Sequence, residues 1–523
     1  MIGVGVSYDL EQYERLQGNR PALINLFTLK AIAHKMRRRH AGLQFRSSAP
    51  SSRRGSLERA AAPPSVPGDV VGVQDVKESA EELLPPRSAE GSSQAVVDEG
   101  PSNLLGLYTI FVHPMCVLLV CVPLGLLSPR LGWGVSCTFW LNFLALIPLA
   151  KILGDATEEL AASLGNETVS GLLNASFGNA VEMIVSVQAL RANLLPVVKL
   201  SLLGSVLSNI LLVLGSAFLL GGLTPSRTQR SRTHSILGTP IGGFIGVEKE
   251  QKFALKSALI SVAMLLFSCM SFALPTMFDS FTHDHAKVLT VSRIGAWIVM
   301  STYVAFLLFQ LLTHTKTLSR DENGPVGGVS SAGFGYAANS GVVMTGVMTE
   351  EGDDDEEEEA EEEEAASMSV WCAVALMAVC ATVTALNSQL LVDVIKSVVK
   401  QAGIPETFIG VILLPIAGNA CEHASALRFS MNDRPGLAIG IAVGSSTQVA
   451  LLVVPFAVIM GFFMGKPLDL NFGALNTLVV TFSVLVTLTL LLDGRSNWMK
   501  GYLLIALYVF IATLYWYIPY GTE

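Results

Sequence analysis

The sequence contains few charged residues for its length. Asp, Glu, Lys and Arg make up 15% of the 523 residues, whereas hydrophobic residues make up 51%. Soluble globular domains carry charge on about 25% of their residues. This composition therefore excludes an ordinary soluble protein and indicates a chain that lies largely within a membrane.

Cysteine is also scarce, and its spacing argues against a cysteine-bound metal site and against a secreted, disulfide-rich protein. The seven cysteines all fall in apolar runs, without the paired spacing of a metal site or the pattern of a secreted disulfide framework. The chain has no HExxH motif, which argues against a zinc-dependent intramembrane protease. We expect the cysteines to be small buried hydrophobic residues, and we expect no enzymatic activity, no cofactor and no nucleic-acid partner.

Negative charge is concentrated in one segment. The net charge is −9, and much of it comes from the run "EEGDDDEEEEAEEEE" at 350–364, so the rest of the chain is near neutral or basic. Acidic residues at this density repel one another and stay solvated. We predict that residues 314–367 form an acidic linker with a regulatory or cation-concentrating role.

The first hundred residues lack the long apolar runs of the rest of the chain. They are rich in Ser, Pro, Arg, Ala and Gly, and such a segment cannot bury enough surface to fold alone. We predict a disordered, mostly basic tail over 1–102. No continuous apolar core follows a basic start, which argues against a cleaved targeting peptide. Arg53, Arg54 and Ser56 fit either a basophilic kinase site or a chance match in an Arg- and Ser-rich tail.

From residue 103 the chain is a succession of apolar segments, each near the ~20 residues that span a bilayer as a helix. The sequence thus predicts an all-α membrane protein. We place eleven spans, at about 104–127, 132–153, 168–190, 195–221, 253–277, 289–313, 368–397, 404–430, 436–463, 470–492 and 498–519.

Lys and Arg in the short loops predict the orientation. The loop at 224–252 carries five basic residues, whereas the next loop carries only Lys287 against Asp279 and Asp284. The loop at 224–252 is therefore predicted to be cytoplasmic. Counting spans from it places the N-terminal tail and the acidic linker on the same side and the C-terminus on the opposite side.

The sequence contains an internal repeat. "GNAVE" at 178–182 returns as "GNACE" at 418–422, and "GSVLSN" at 204–209 matches "GSSTQV" at 444–449 with the same separation of 240 residues. The two motifs lie on the third and eighth predicted spans, so each unit holds five spans. An odd number of spans puts the copies in opposite orientations, as in secondary transporters. We predict one extra helix plus a first five-helix repeat over 103–313, and a second repeat over 368–520.

Each repeat places one glutamate inside a membrane span. A carboxylate at the bilayer centre costs roughly 2.5–3.5 kcal/mol on insertion scales, so Glu182 and Glu422 predict a functional site. Facing each other as anions, they would repel unless a cation lay between them or protons neutralised them. The sequence therefore predicts a site that alternates between a divalent metal and protons, with Glu182 and Glu422 as the metal-binding and proton-exchanging groups.

The neighbouring residues favour a hard cation, because Ca²⁺ prefers carboxylate, amide, carbonyl and water oxygens. Asn179 and Asn419 precede the two glutamates by three residues, which puts each amide on the same helix face as its carboxylate. Gly178 and Gly418 would allow a close backbone approach or a local break in the helix. Further supporting polar ligands are predicted to be Ser205, Ser208, Ser445, Ser446 and Gln448. The sequence shows no thiolate or imidazole cluster that would favour a softer metal, and His423 is either a proton relay or a packed, hydrogen-bonded histidine.

These motifs resemble the signature regions of the CAX-type Ca²⁺/H⁺ exchangers, a cation/proton exchanger family of the Ca²⁺/cation antiporter superfamily. The resemblance rests on "ATEELAASLGNETVSGLLNASFGNAVEMIVSVQAL" and "FIGVILLPIAGNACEHASALRFSMNDRPGLAIGIAVGSSTQVALLVVP" and extends over roughly 103–520. It implies export of cytosolic Ca²⁺ in exchange for protons by alternating access, in a vacuolar or other acidic-compartment membrane. It also implies that Glu182 and Glu422 are the central carboxylates. Ca²⁺, H⁺ and membrane lipid would be the partners, with cytosolic regulators acting on the N-terminal tail.

One position departs from the family pattern. Where members commonly have Ser-Glu, this chain has "NSQLLVD", so Gln389 replaces an ionisable group, whereas Glu158 and Glu159 are retained in the first half as a candidate proton path. The departure leaves a Na⁺-coupled Ca²⁺ exchanger, or an exchanger of mixed selectivity, as the alternative. A channel or receptor fits less well, because it has no need of a duplicated, inverted pair of metal sites. The choice among Ca²⁺, Mn²⁺ and Cd²⁺ stays open at this stage, as does the oligomeric state.

Overall fold

The computed structural model describes residues 103–164, 167–225, 249–313 and 367–518. The predicted tail at 1–102 and the predicted linker, apart from residue 367, lie outside these ranges. The described part of the chain is almost entirely helical, as the sequence predicts.

The first half consists of helices joined by short turns. They are α1 (Asn103–Phe111), a 3₁₀ segment (Pro114–Val120), α2 (Cys121–Leu131), α3 (Val135–Leu164), α4 (Glu167–Phe177), α5 (Ala180–Arg191), α6 (Leu195–Leu207), α7 (Leu214–Leu223), α8 (Leu255–Thr282) and α9 (His285–Leu308). A π-helical segment, Ser208–Val213, joins α6 to α7 without interrupting the span, and Phe309–Thr313 extends α9 in the same way.

The second half has a matching order of elements. Its helices are α10 (Val370–Ala402), α11 (Glu406–Phe408), α12 (Leu414–Gly418), α13 (Ala420–Met431), α14 (Pro435–Gln448), α15 (Val454–Phe463), α16 (Ala474–Leu491) and α17 (Trp498–Tyr517). π-Helical segments join α11 to α12 (Ile409–Leu413) and α14 to α15 (Val449–Val453). The segment between α14 and α15 occupies the same place in its repeat as the segment between α6 and α7, so the two copies share a local distortion as well as a sequence pattern.

The number of membrane spans is close to the prediction. Within the described ranges, nine helices are long and apolar enough to cross a membrane, and the bent pair formed by residues 406–418 and 420–431 makes ten. The third predicted span, 168–190, is present as the separate helices α4 and α5 and is not among these candidates. The total of eleven therefore stays a prediction.

The C-terminal end of α10 and the turn between α8 and α9 follow ordinary capping rules. α10 ends at Gly403, whose φ of +69° is a left-handed conformation that glycine adopts without strain. α8 ends at His283, and Asp284 then begins α9 by accepting hydrogen bonds from the backbone N–H groups of Ala286 and Lys287. A two-residue turn thus reverses the chain between neighbouring antiparallel helices.

Contacts at the helix ends show that the two halves are inverted. The C-terminal end of α5 lies beside the loop after α15, where Lys466 Nζ donates to Asn193 Oδ1 over 3.2 Å. The C-terminal end of α13 is held by Lys249, which pairs with Asp433 at 2.6 Å and donates to the carbonyl of Thr224 after α7. The continuous span Leu195–Leu223 begins at the first of these faces and ends at the second. The equivalent helices α5 and α13 therefore end at opposite faces, and the predicted inverted repeat is confirmed.

A short two-stranded ladder closes the second of these faces. β1 (Gln251–Lys252) pairs antiparallel with β2 (Arg495–Ser496), so the loop before α8 is bonded to the loop before α17. The Gln251 amide also donates to the carbonyl of Ser430 and to Asp433 Oδ1. These bonds tie elements of both halves together at one end of the helix bundle.

Candidate functional site: a cavity between two broken helices

The site lies where one helix of each half is interrupted. α4 stops at Phe177 and α5 starts at Ala180, and α12 and α13 meet at Asn419 with a bend of 59°. A break leaves unpaired backbone carbonyls at the end of the first segment and unpaired N–H groups at the start of the second. Glu182 and Glu422 sit in the first turns of α5 and α13, directly after the two breaks.

Glycine makes the close packing at each break feasible. A Cβ atom at position 178 would lie 2.7 Å from the carbonyl oxygen of Asn174, and one at position 418 would lie 2.7 Å from Glu182 Oε1. Real Cβ atoms essentially never come so close to a neighbour. The carboxylate of the first half therefore reaches into the break of the second half only because residue 418 has no side chain. Of the two effects expected of these glycines, the local break is present, and the group that approaches Gly418 closely is a carboxylate side chain rather than backbone.

The two carboxylates line one cavity. Its walls include Gly154 of α3, the two glycines of the repeat, Glu182, Cys421 and Glu422. Glu422 is buried, with 7% of its surface exposed. Glu182 Oε1 and Glu422 Oε2 are inaccessible to solvent, and no hydrogen-bond partner for either occurs in the described part of the chain. Buried polar atoms are normally paired, and a bound cation or bound protons would satisfy both oxygens.

The two amides lie at the breaks. Asn179 and Asn419 are the N-cap residues of α5 and α13, and neither side chain caps its own helix. Instead, each amide bonds across to the other half. Ser205 Oγ donates to Asn419 Oδ1 over 3.0 Å, and its equivalent Ser445 Oγ donates to Asn179 Oδ1 over 3.3 Å.

These two bonds are related by the repeat, because each serine and each asparagine has its equivalent 240 residues away. Asn179 Nδ2 also donates to Gln448 Oε1 over 2.8 Å, and Asn419 Nδ2 donates to the Ser205 carbonyl over 3.2 Å. The structure thus brings Ser205, Ser445 and Gln448 together with the amides at the crossing of the two halves. Their predicted role as a polar surround of the cation remains a proposal.

The other two predicted serines lie on the same helices but are used differently. Ser446 donates to the Ala442 carbonyl of its own helix over 2.8 Å and to the Val206 carbonyl over 3.4 Å. Ser208 is buried at the start of the π-helical segment after α6. The hydroxyl of Ser446 thus serves backbone carbonyls rather than the amides.

Sequence reasoning missed Asn209. This fully buried residue donates from Nδ2 to Ser445 Oγ over 3.1 Å, so it holds a serine that in turn contacts Asn179. Its equivalent in the second half is Val449, an apolar residue. Comparison of the two repeats selects positions that are polar in both copies. This position is polar only in the first copy, so the comparison did not select Asn209.

His423 is a hydrogen-bonded histidine. Its Nε2 lies 2.8 Å from Ser216 Oγ, and that hydroxyl donates to the carbonyl of Val213 over 3.0 Å. The geometry supports the second of the two interpretations given for His423, and a role in proton relay stays a prediction.

A charged stripe on α3 approaches the cavity. Lys151 forms a buried ion pair with Asp155, and Glu158 lies one further turn along the same helix face with its Oε1 buried and without a partner in the described ranges. The neighbouring Glu159 is used differently: it accepts hydrogen bonds from the N–H and hydroxyl of Ser367 at 3.0 and 2.7 Å. Of the two acids predicted as a proton path, Glu158 therefore faces other charged groups, whereas Glu159 anchors the chain just before α10.

Glu182 also borders a second cavity on its other side. Apart from Glu182, Ser201 and Ser205, the lining is mostly apolar and includes Leu146, Val185, Leu202 and Leu414. The carboxylate thus stands between a charged chamber and an apolar one.

The residue that departs from the family pattern lies outside both cavities. Gln389 is exposed on α10, whereas its neighbours Asn387 and Ser388 are buried. Its side chain therefore points away from the face of α10 that packs inside the protein.

Two inverted halves, two broken helices and a pair of buried carboxylates at their crossing define a secondary transporter. The sequence profile of the sodium/calcium exchanger protein family matches residues 134–312 and 372–517. The chain belongs to this family.

Within this family, the chain is similar to proteins that are named as cation/proton exchangers. The chain is 34% identical to vacuolar cation/proton exchanger 3 of Oryza sativa subsp. japonica, over 77% of this chain and 85% of the relative. It is 34% identical to the Ca²⁺/H⁺ antiporter of Aphanothece halophytica, over 78% and 97% of the two chains. The solved structure of native YfkE is similar with a TM-score of 0.57 and 29% identity, covering 77% of this chain and 100% of the other.

Proposed function

We propose that the protein is an antiporter that moves cytosolic Ca²⁺ across a membrane in exchange for protons by alternating access, and that it is not an enzyme. The observation that carries this proposal is the pair of buried carboxylate oxygens of Glu182 and Glu422 in one cavity, for which the described residues provide no hydrogen-bond partner. The names of the relatives, cation/proton exchangers and a Ca²⁺/H⁺ antiporter, support it.

The charge of the site without a bound ion determines how many protons are exchanged for each Ca²⁺. With both carboxylates ionised the pair carries a charge of about −2, and switching such a site between the two sides of a membrane would be costly without compensation. One Ca²⁺ neutralises the pair, and so do two protons. The minimum coupling is therefore about two H⁺ per Ca²⁺. A third proton on Glu158, which lies on the charged stripe of α3, would make the cycle electrogenic.

The cation would be held by oxygen atoms from both halves. Glu182 and Glu422 supply the charge, and backbone carbonyls at the ends of α4 and α12 would add neutral oxygen ligands. The amide oxygens of Asn179 and Asn419 each accept one serine hydrogen bond and keep a second lone pair. Ser205, Ser445 and Gln448 then fix the orientation of the amides, so any movement of one half is transmitted to ligands of the other.

The same proposal includes the location of the protein. We place it in a vacuolar or other acidic-compartment membrane, in contact with lipid, with the N-terminal tail and the acidic linker in the cytosol. The name of the rice relative supports the vacuole. The five Lys and Arg residues of the 224–252 loop support the orientation. Exporting Ca²⁺ into an acidic lumen would let the proton gradient drive the exchange.

The test is Ca²⁺ uptake by sealed vesicles that contain the purified full-length protein. An imposed pH gradient, acidic inside, should drive radioactive Ca²⁺ inward, and a protonophore should abolish the uptake. The same vesicles are then loaded with Na⁺ at equal pH on both sides. Uptake driven by the Na⁺ gradient but not by the pH gradient would overturn the proposal in favour of a Na⁺-coupled exchanger.

A further inference from the structure

Arg293 is a charged residue of α9 that the proposed exchange does not use, and it lines neither of the two cavities beside Glu182. Its guanidinium carbon lies 4.8 Å from the centre of the Phe462 ring, a cation–π contact between α9 and α15. Phe462 is the second-last residue of the span Pro435–Phe463, so the guanidinium lies at the end of a membrane span. Arginine side chains at such ends lie at the level of the lipid headgroups.

The turn between α8 and α9 lies at the same end of the helix bundle. Asn471, in the loop after α15, donates from Nδ2 to Asp279 Oδ2 near the end of α8 over 2.9 Å. Arg293 lies eight residues after the first residue of α9, about 12 Å along the helix axis. The first turns of α9 therefore extend beyond the end of α15, and Arg293 lies level with that end.

The surface next to Arg293 is apolar and exposed. Ile294 and Trp297 of α9 have 57% and 58% of their surface exposed, and Phe463 at the end of α15 has 70% exposed. Aromatic residues are enriched where membrane helices meet the headgroup region, and apolar side chains on the outside of such helices contact acyl chains. Arg293 therefore lies at the edge of a surface that lipid covers.

The guanidinium of Arg293 has no negatively charged partner among the described residues. Its Nε is buried and has no hydrogen-bond partner there, and no described carboxylate forms an ion pair with it. The three carboxylates of the adjoining loops have other partners: Asp279 with Asn471, Asp284 with Lys287, and Asp469 with Lys199. A buried group of this kind is normally paired, so a negatively charged ligand would complete the site.

We propose that Arg293 binds the phosphate group of a membrane phospholipid whose acyl chains lie on the exposed apolar surface of α9 and α15. Arginine binds phosphate through two parallel N–H···O bonds from its planar guanidinium. Arg293 is half-buried, so a ligand can reach its side chain, while the Phe462 ring holds the guanidinium at the junction of the two helices. A phospholipid fits this place better than a soluble anion, because a soluble anion would leave the neighbouring apolar side chains uncovered.

The test uses the full-length protein purified in a maltoside detergent, which contains no phosphate. The thermal midpoint is measured while phosphatidylglycerol, a galactolipid with the same acyl chains, or inorganic phosphate is added. A ligand that binds the folded protein raises the midpoint by an amount that depends on its concentration and affinity. Arg293→Gln is compared with Arg191→Gln, because Arg191 is an exposed arginine in the last turn of α5, at the same end of the bundle.

The wild-type protein should respond to phosphatidylglycerol at a concentration at least about tenfold lower than to the galactolipid, because a hydrogen bond to a charged group contributes roughly a factor of ten or more. Arg293→Gln should lose this preference, and Arg191→Gln should keep it. Arg293→Lys keeps the charge without the planar fork, so it should lose most of the preference even where Arg293→Gln does not fold.

Two results would overturn the inference: equal wild-type affinities for the two lipids, or an unchanged preference in both Arg293 variants. Protection by inorganic phosphate as strong as that by phosphatidylglycerol would overturn the assignment to lipid. None of these measurements depends on Ca²⁺ uptake, so the inference stands or falls separately from the proposed function.

Discussion

At the scale of single residues, the proposed exchange depends on the arrangement of Glu182 and Glu422. They line one cavity, and each has a buried oxygen with no partner in the described ranges, so charge added to one is felt by the other. Each glutamate could be picked out from the sequence, because a carboxylate in an apolar span is costly. Their shared cavity depends on Gly418, whose missing side chain leaves room for the Glu182 carboxylate.

We expect Glu182→Gln and Glu422→Gln each to abolish pH-driven Ca²⁺ uptake almost completely, and the double variant to be no worse. With one carboxylate left, a bound Ca²⁺ gives the site a net positive charge, whereas a single proton neutralises it. The two glutamates therefore act as a unit, and the losses of uptake in the two single variants do not add. Uptake is measured in vesicles with matched protein amounts, with Glu250→Gln as the control, since Glu250 forms an exposed ion pair with Arg495. Substantial uptake by either single variant would show that one carboxylate suffices.

Gly418→Ala tests the close approach directly. The new Cβ would lie 2.7 Å from Glu182 Oε1 and must displace the end of that side chain rather than the backbone. The protein should therefore fold normally and lose apparent Ca²⁺ affinity by about tenfold, as expected when a metal ligand is reoriented. Gly436→Ala is the matched control, because its nearest neighbour, Phe253 Cβ, would lie at an ordinary 3.9 Å. Equal apparent affinities in the two variants would contradict this role of Gly418.

At the scale of elements, the helices of one half are held against those of the other by very close packing. A Cβ at Gly501 of α17 would lie 2.2 Å from the backbone nitrogen of Leu219 and 2.5 Å from the carbonyl oxygen of Gly215, both on α7. Small residues let membrane helices approach closely. The resulting van der Waals contacts stabilise the packing in a bilayer, where the hydrophobic effect does not drive helices together. α7 continues the span of Ser205 and Asn209, so this contact supports the site from outside.

Gly501→Ala should lower the stability of the protein markedly. The clash is with backbone atoms, so α17 must move away from α7, and overpacking of this kind typically costs roughly 1–3 kcal/mol. The measurement is the thermal midpoint of the detergent-purified protein. Gly295→Ala on α9, whose nearest neighbour would be the side-chain carbon Leu470 Cδ1 at 3.4 Å, is expected to stay near the wild-type value. A midpoint for Gly501→Ala equal to that of the control would show that the helices separate at no cost.

At the scale of the whole molecule, the described part of the chain supplies both halves of the site without residues 1–102. Deleting residues 1–95 should therefore leave Ca²⁺ exchange intact or raise it, since a basic tail on the cytosolic side, where we propose that it lies, fits an inhibitory or targeting role. Initial uptake rates are compared in vesicles with equal amounts of inserted protein. A truncated protein that reaches the membrane but cannot exchange Ca²⁺ would show that the tail is structural.

Features that depend on short stretches of sequence, or on the spacing between them, could be predicted without the structure. Apolar runs fixed the membrane helices, the 240-residue register fixed the repeat, and the costly carboxylates marked Glu182 and Glu422. Which atoms meet across the two halves was decided only by tertiary structure, because the rotation of each helix about its axis depends on its packing partners. That packing turned Asn179 and Asn419 into links between the halves, brought Asn209 and Cys421 to the site, and left Gln389 on an exposed face of α10.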